Sequence, residues 1–270
     1  MSHRTEKTIP HARGTALAGA LGLALAAAPL AAGAAEGAQV SVGLGAYYLS
    51  GDYGSSAGDT DIWYVPLSMR WKAQRWRIKA TVPWVRVTGP GAAVPGVGGV
   101  SRGATGRTSE SGLGDVLLSA SWLALYDRAS RTGLRLKGKL KLDTADERKG
   151  LGTGSTDFTA AVEGFRSLGA ATVFGSIGYR WMGDSDVYDL QNAWLGTAGF
   201  QNRLTHRTSA GLSVYLRQKI SRTGAPRREL NGFVTHKLTD TVRLQGYGIV
   251  GFADGSPDWG LGANVRVDME

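Results

Sequence analysis

The side chains best equipped for bond-making chemistry are few in this sequence. There is no cysteine and there are four histidines. Only His206 and His236 lie beyond the first 35 residues, one in a turn and one on a weak strand. Without thiolates a transition-metal site is not expected. Gly150-Leu151-Gly152-Thr153-Gly154 has the look of a phosphate cradle, but it lacks the Lys-Ser/Thr ending and a following helix, so it reads as a flexible loop. No catalytic, cofactor-binding or metal-binding residue is assigned. What remains is charge in a regular pattern. Leu134–Asp143 reads L-R-L-K-G-K-L-K-L-D. Leu134, Leu136, Leu140 and Leu142 share one parity, and Arg135, Lys137, Lys139, Lys141 and Asp143 share the other.

That spacing dictates the element that carries it. Period-two alternation is a β-strand pattern, because successive side chains point to opposite faces of a sheet. The four cations of one face need water, since charged groups are rarely buried without partners. The leucine face needs either a protein core or lipid.

The same alternation recurs along the chain and predicts twelve strands. They cover 39–50, 61–72, 76–82 with a continuation past Pro83, 112–126, 134–143, 157–167, 171–182, 193–201, 209–219, 229–237, 242–252 and 259–270. Val85 and Val87 change parity after Pro83, which predicts a bulge there. Residues 88–111 form the longest irregular stretch, rich in Gly, Pro, Ser and Thr, and are expected to be a surface loop or a plug. The opening residues read differently. Arg4, Lys7 and Arg13 precede a charge-free, Ala- and Leu-rich run from Thr15 to Ala32, followed by small residues. This is the pattern of a secretory signal peptide over 1–35, leaving 36–270 as the mature domain. Removing it leaves 28 basic against 21 acidic residues, a net +7. The positive charge is spread over many strands rather than gathered in one run, so nucleic acid is not expected as a partner.

Two features favour a barrel in lipid over a sandwich in water. Connections alternate between short (73–75, 127–133, 168–170, 202–208, 239–240) and long or polar, as in outer-membrane barrels. The charged face recurs on strand after strand, which suits a wide wet interior and not an apolar core. Closure also satisfies the sheet edges that lipid cannot hydrate. The expected fold is therefore all-β: a transmembrane, antiparallel, up-and-down β-barrel of about twelve strands in the bacterial outer membrane. Its expected partners are outer-membrane lipids, the barrel-assembly machinery and a small-molecule solute. The chain ends Val267-Asp268-Met269-Glu270, without the terminal aromatic that many such barrels use in assembly.

With the apolar parity facing lipid, the candidate pore-lining residues are Arg70, Lys72, Arg77, Lys79, Asp115, Arg135, Lys137, Lys139, Lys141, Asp143, Glu163, Arg180, Arg217 and Arg243. Two readings stand side by side. The cations form an anion-attracting pore, or they pair with the acids across strands and hold the wall together.

Four stretches carry a family resemblance: Trp76–Gly91 (W-R-I-K-A-T-V-P-W-V-R-V-T-G-P-G), Glu110–Ser119 (E-S-G-L-G-D-V-L-L-S), Lys149–Asp157 (K-G-L-G-T-G-S-T-D) and Leu244–Gly262 (L-Q-G-Y-G-I-V-G-F-A-D-G-S-P-D-W-G-L-G). In these the chain resembles the outer-membrane proteins grouped as the meta-pathway phenol-degradation, or MetA-type, transporter family. The resemblance implies an outer-membrane barrel that passes aromatic or other hydrophobic compounds, and it implies no site residues. The leading functional expectation is a non-enzymatic channel for small aromatic or anionic solutes. The alternatives are a lipid-acting outer-membrane enzyme, which no Ser/His spacing favours, and a structural barrel with a closed lumen.

Overall fold

The computed structural model describes residues 37–90, 93–95, 98–99 and 108–269. The expected signal peptide, 1–35, lies outside the described residues, as does part of the 88–111 loop. Strands run as β1 (Gln39–Gly51), β2 (Thr60–Ala73), β3 (Trp76–Gly89), β4 (Ala93–Val94), β5 (Gly98–Gly99), β6 (Thr108–Leu113), β7 (Val116–Asp127) and β8 (Thr132–Leu142). They continue as β9 (Asp157–Leu168), β10 (Ala171–Trp181), β11 (Ala193–Arg203), β12 (Thr208–Arg217), β13 (Arg227–Lys237), β14 (Val242–Gly251) and β15 (Trp259–Met269). Apart from the small β4–β5 hairpin, every strand joins one antiparallel sheet. It closes because β1 pairs with both β2 and β15, from Val40 opposite Met269 to Ser50 opposite Trp259. β6 and β7 share one place in the wall beside β3, so the barrel has twelve staves.

The short turns hold themselves. Gln74 (φ 43°) and Gly169 (φ 63°) take the left-handed conformation that two-residue hairpins require. The Asp127 carboxylate accepts from the Ala129 and Ser130 amides, and the Thr239 hydroxyl accepts from the Thr241 and Val242 amides.

The wall's outer face is apolar. Leu44, Ile177 and Leu261 are 56, 60 and 61 % exposed, and leucines, valines and tryptophans like them occur on every stave. No described helix is long and apolar enough to cross a membrane, which says nothing of strands. Aromatic rings gather at two levels. Near the loop end Tyr48 sits between Trp63 and Trp259, and Tyr179 contacts Trp181 and Trp194. Near the turn end Trp76 stacks on Trp122 at 6.2 Å. Such belts belong at the two lipid–water boundaries.

Three details depart from expectation. The bulge at Pro83 lies in the partner strand. Thr81 faces Leu117 and Trp84 faces Leu113, so three steps along β3 match four along β6–β7. The extra residue falls at Gly114-Asp115, where the Gly114 amide reaches the Pro83 carbonyl at 2.9 Å. A second irregularity, between Leu123 and Leu125, turns Leu125 outward and lets Tyr126 stack on Phe165. The alternation alone puts Tyr126 on the outer face with Trp122. Third, Ile62, Val85 and Val87 face inward near the loop end. There they pack with Tyr53, Ala93, Ala145 and Leu151 into an apolar cluster.

Candidate functional site

The interior is built from the polar parity of the staves. At the turn end Arg70, Lys72, Arg77, Lys79, Lys137, Lys139, Arg243 and Arg266 line a cavity of ≈ 670 Å³ together with Asp268. Nearer the loops, Lys139, Lys141, Asp115, Asp157 and Arg180 border a much smaller space of ≈ 40 Å³. Arg135 and Glu163 face each other across β8 and β9, and Arg217 is buried near the end of β12. Asp143 is the one expected pore-lining residue that lies just beyond the end of its strand. β8 stops at Leu142, so the alternation no longer governs Asp143, which is exposed at the rim.

The carboxylates engage some cations and leave others. Glu163 bridges Arg135, at 3.0 Å, and Lys137. Asp268 takes Arg243 at 2.9 Å and Arg266 at 3.4 Å. Arg227 donates to Glu229 through Nε at 2.7 Å. Lys141 is a hub. Its Nζ lies 3.0 Å from Asp115 and 3.3 Å from Asp157, and donates to the Thr153 hydroxyl at 2.7 Å. Arg70, Lys72, Arg77, Lys79, Lys139 and Arg180 have no ion-pair partner among the described residues. Of the fourteen expected residues, Asp115, Arg135, Lys137, Lys141, Glu163 and Arg243 stand in ion pairs, so carboxylates account for some of the inward cations and not for those without an ion-pair partner among the described residues.

The mouth is packed by two loop segments. Residues 144–156 fold inward, with Leu151 and Thr153 buried. This replaces the expectation of a flexible loop at 150–154. The fit is close enough that a Cβ on Gly152 would lie 2.6 Å from the Ala145 Cβ and 2.9 Å from an Asp115 oxygen. The Asp115 carboxylate also accepts the Thr144 and Ala145 amides. The β4–β5 hairpin enters from the other side. The Gly99 amide donates to the Gly255 carbonyl, and Val94 packs with Tyr188, Ala193 and Ile220. Tyr53 sits in this packing, and burial pushes its phenol well above the ordinary range.

Beneath the hairpin lies a chamber of ≈ 380 Å³ whose walls include Tyr47, Tyr64, Tyr247, Ile62, Ile249 and Val94. The Tyr47 ring is 6.4 Å from Tyr64 and 6.1 Å from Tyr247. The Tyr47 hydroxyl accepts from Asn264, and the Tyr247 hydroxyl donates to Asn231. The alternation places these tyrosines inward but does not bring them together. Barrel closure does that, by setting β14 and β15 beside β1. Arg227, Glu229, Arg266 and Asp268 were also outside the expected set, although all four hold the inward parity.

The family model described as "Putative MetA-pathway of phenol degradation" matches residues 70–269. The chain belongs to this family. Among curated proteins no sequence matches it. Solved structures match the MetA-family barrel by fold. The COG4313 outer membrane channel from Pseudomonas putida F1 superposes with a TM-score of 0.67 at 12 % identity, over 86 % of this chain and 95 % of that one. The NanC porin gives 0.54 at 9 % identity and the KdgM porin 0.51 at 12 %, each over 85 % of this chain and 99 % of theirs. The MetA-family chain is thus an outer-membrane barrel, in agreement with the lipid-facing band and its two aromatic belts.

Proposed function

We propose that the barrel is an outer-membrane channel for small solutes, aromatic ones among them, and not an enzyme. The observation that carries this reading is the interior itself. A closed wall with polar inward parity holds cavities of ≈ 380 and ≈ 670 Å³, and the upper one has tyrosine faces on which a ring can stack. The fold likeness to proteins named as a channel and as porins supports it. The lipid-acting alternative has one feature to weigh. His236 Nδ1 lies 2.9 Å from the Thr208 hydroxyl, on the parity of the exposed Leu212 and Val234. No carboxylate pairs with His236 among the described residues to orient the ring, so this is a cross-strand tie between β12 and β13. Purified protein in planar bilayers tests the channel reading. Discrete ion conductance is the expected result. Bilayers that stay silent, with protein shown to be inserted, overturn it.

A further inference from the structure

The cations that lack carboxylate partners are not scattered. In the strand register Arg70 lies opposite Lys79, Lys79 opposite Ser119, and Ser119 opposite Lys139. Lys139 in turn lies opposite Thr159, and Thr159 opposite Arg180. One unbroken row across β2, β3, β7, β8, β9 and β10 therefore reads cation, cation, hydroxyl, cation, hydroxyl, cation. Arg70 is near the turn end of β2, whereas Arg180 is next to the last residue of β10 at the loop end. Staves of a barrel are tilted, so a row of directly opposed residues climbs as it goes round. Five strand spacings of roughly 4.8 Å make the row about 24 Å long. Below it runs a shorter row, Lys72 opposite Arg77, Arg77 opposite Ser121, and Ser121 opposite Lys137.

We propose that the Arg70–Lys79–Lys139–Arg180 row is a stepwise binding track for carboxylate-bearing organic anions crossing the lumen. The proposal rests on the channel reading and names its substrate class. Cations of one sign set one or two strands apart repel each other, and a folding role would favour interleaved acids. The acids of this interior are instead committed elsewhere, Glu163 to Arg135 and Lys137, and Asp115 and Asp157 to Lys141. The chemistry of the row fits a carboxylate. A guanidinium fork grips both oxygens, an ammonium supplies a point charge, and the Thr159 hydroxyl can donate to an oxygen in transit, while the Ser119 hydroxyl donates to the Lys79 carbonyl at 3.4 Å. Steps roughly 5–10 Å apart let the anion reach the next cation before it leaves the last, which keeps binding weak enough for release. The Arg180 guanidinium already donates to the Thr159 hydroxyl at 3.3 Å, so the top step has its hydroxyl in place.

The test uses the full-length barrel in planar bilayers under a KCl gradient, with isophthalate added to one side as the probe. The wild type is expected to prefer chloride over potassium and to show voltage-dependent block by isophthalate. K79Q/K139Q should conduct in symmetric KCl, which shows that it folds. It should lose about fivefold or more of the anion preference, together with the block. K79R/K139R should keep both, and K149Q on the exposed loop should change neither. A K79Q/K139Q channel that conducts with unchanged preference and block overturns the track and leaves the channel standing. Absence of conductance in the wild type overturns the channel and the track together.

Discussion

Lys141 shows what a single inward charge does in this wall. It is 8 % exposed, with Asp115 and Asp157 within ion-pair distance and Thr153 and Ser155 from the inward-folded loop on the same ammonium. A buried ion pair gains little over an apolar pair, yet removing one partner strands the other. K141M leaves two buried carboxylates facing each other, and it is expected to cost about 3–5 kcal/mol of barrel stability. Urea unfolding in detergent micelles measures this. In a double-mutant cycle, adding D115N should recover part of the loss. A midpoint unmoved by K141M would mean that the hub holds nothing. The inward direction of Lys141 follows from the alternation in Leu134–Asp143. Its partners do not, because Thr153 and Ser155 come from a loop whose glycines suggest looseness. At Asp143 the alternation continues in the sequence one residue after the strand has ended.

Among the elements, the staves were readable and their irregularities were not. All twelve follow from parity and polar turns, since a half-wet wall forces hydrophobicity to alternate. The alternation points to β3 for the extra residue that in fact falls at Gly114-Asp115, because Pro83 interrupts the pattern on β3 while its partner absorbs the slip. The inward valines Val85 and Val87 likewise need the inserted hairpin to explain them. That hairpin yields a prediction at this scale. Gly98 has φ 96°, and a Cβ there would sit 2.4 Å from the Gly255 carbonyl oxygen. G98V is therefore expected to expel β4–β5 from its seat, crowding the Arg227 side chain of β13 but changing no residue of a stave. Single-channel conductance is expected to rise, because the segment roofs the tyrosine-lined chamber. Conductance equal to wild type would show that the hairpin does not set the width of the path.

For the whole molecule, the decisive property is the inversion of the usual globular pattern. Apolar side chains such as Leu118, Ile177, Leu212 and Val265 stand outward, while arginines and lysines line the middle. Alternation alone cannot choose between this arrangement and a sandwich with a greasy core, because both have one wet and one dry face. The choice rests on the recurrence of cations on successive staves, and the register between β1 and β15 supplies what the sequence could not show, namely that the first and last staves pair and the wall closes. Continuous apolar surface on this scale has no stable state in water, since soluble monomers tolerate patches of only a few hundred Å². Detergent removal is accordingly expected to precipitate the protein or drive it into large aggregates, and micelles or lipid nanodiscs should hold it as a defined particle. Size-exclusion chromatography with light scattering reads this directly. A monodisperse monomer that persists in detergent-free buffer would mean that the outward leucines have found cover within the chain, and the assignment of inside and outside would have to be exchanged.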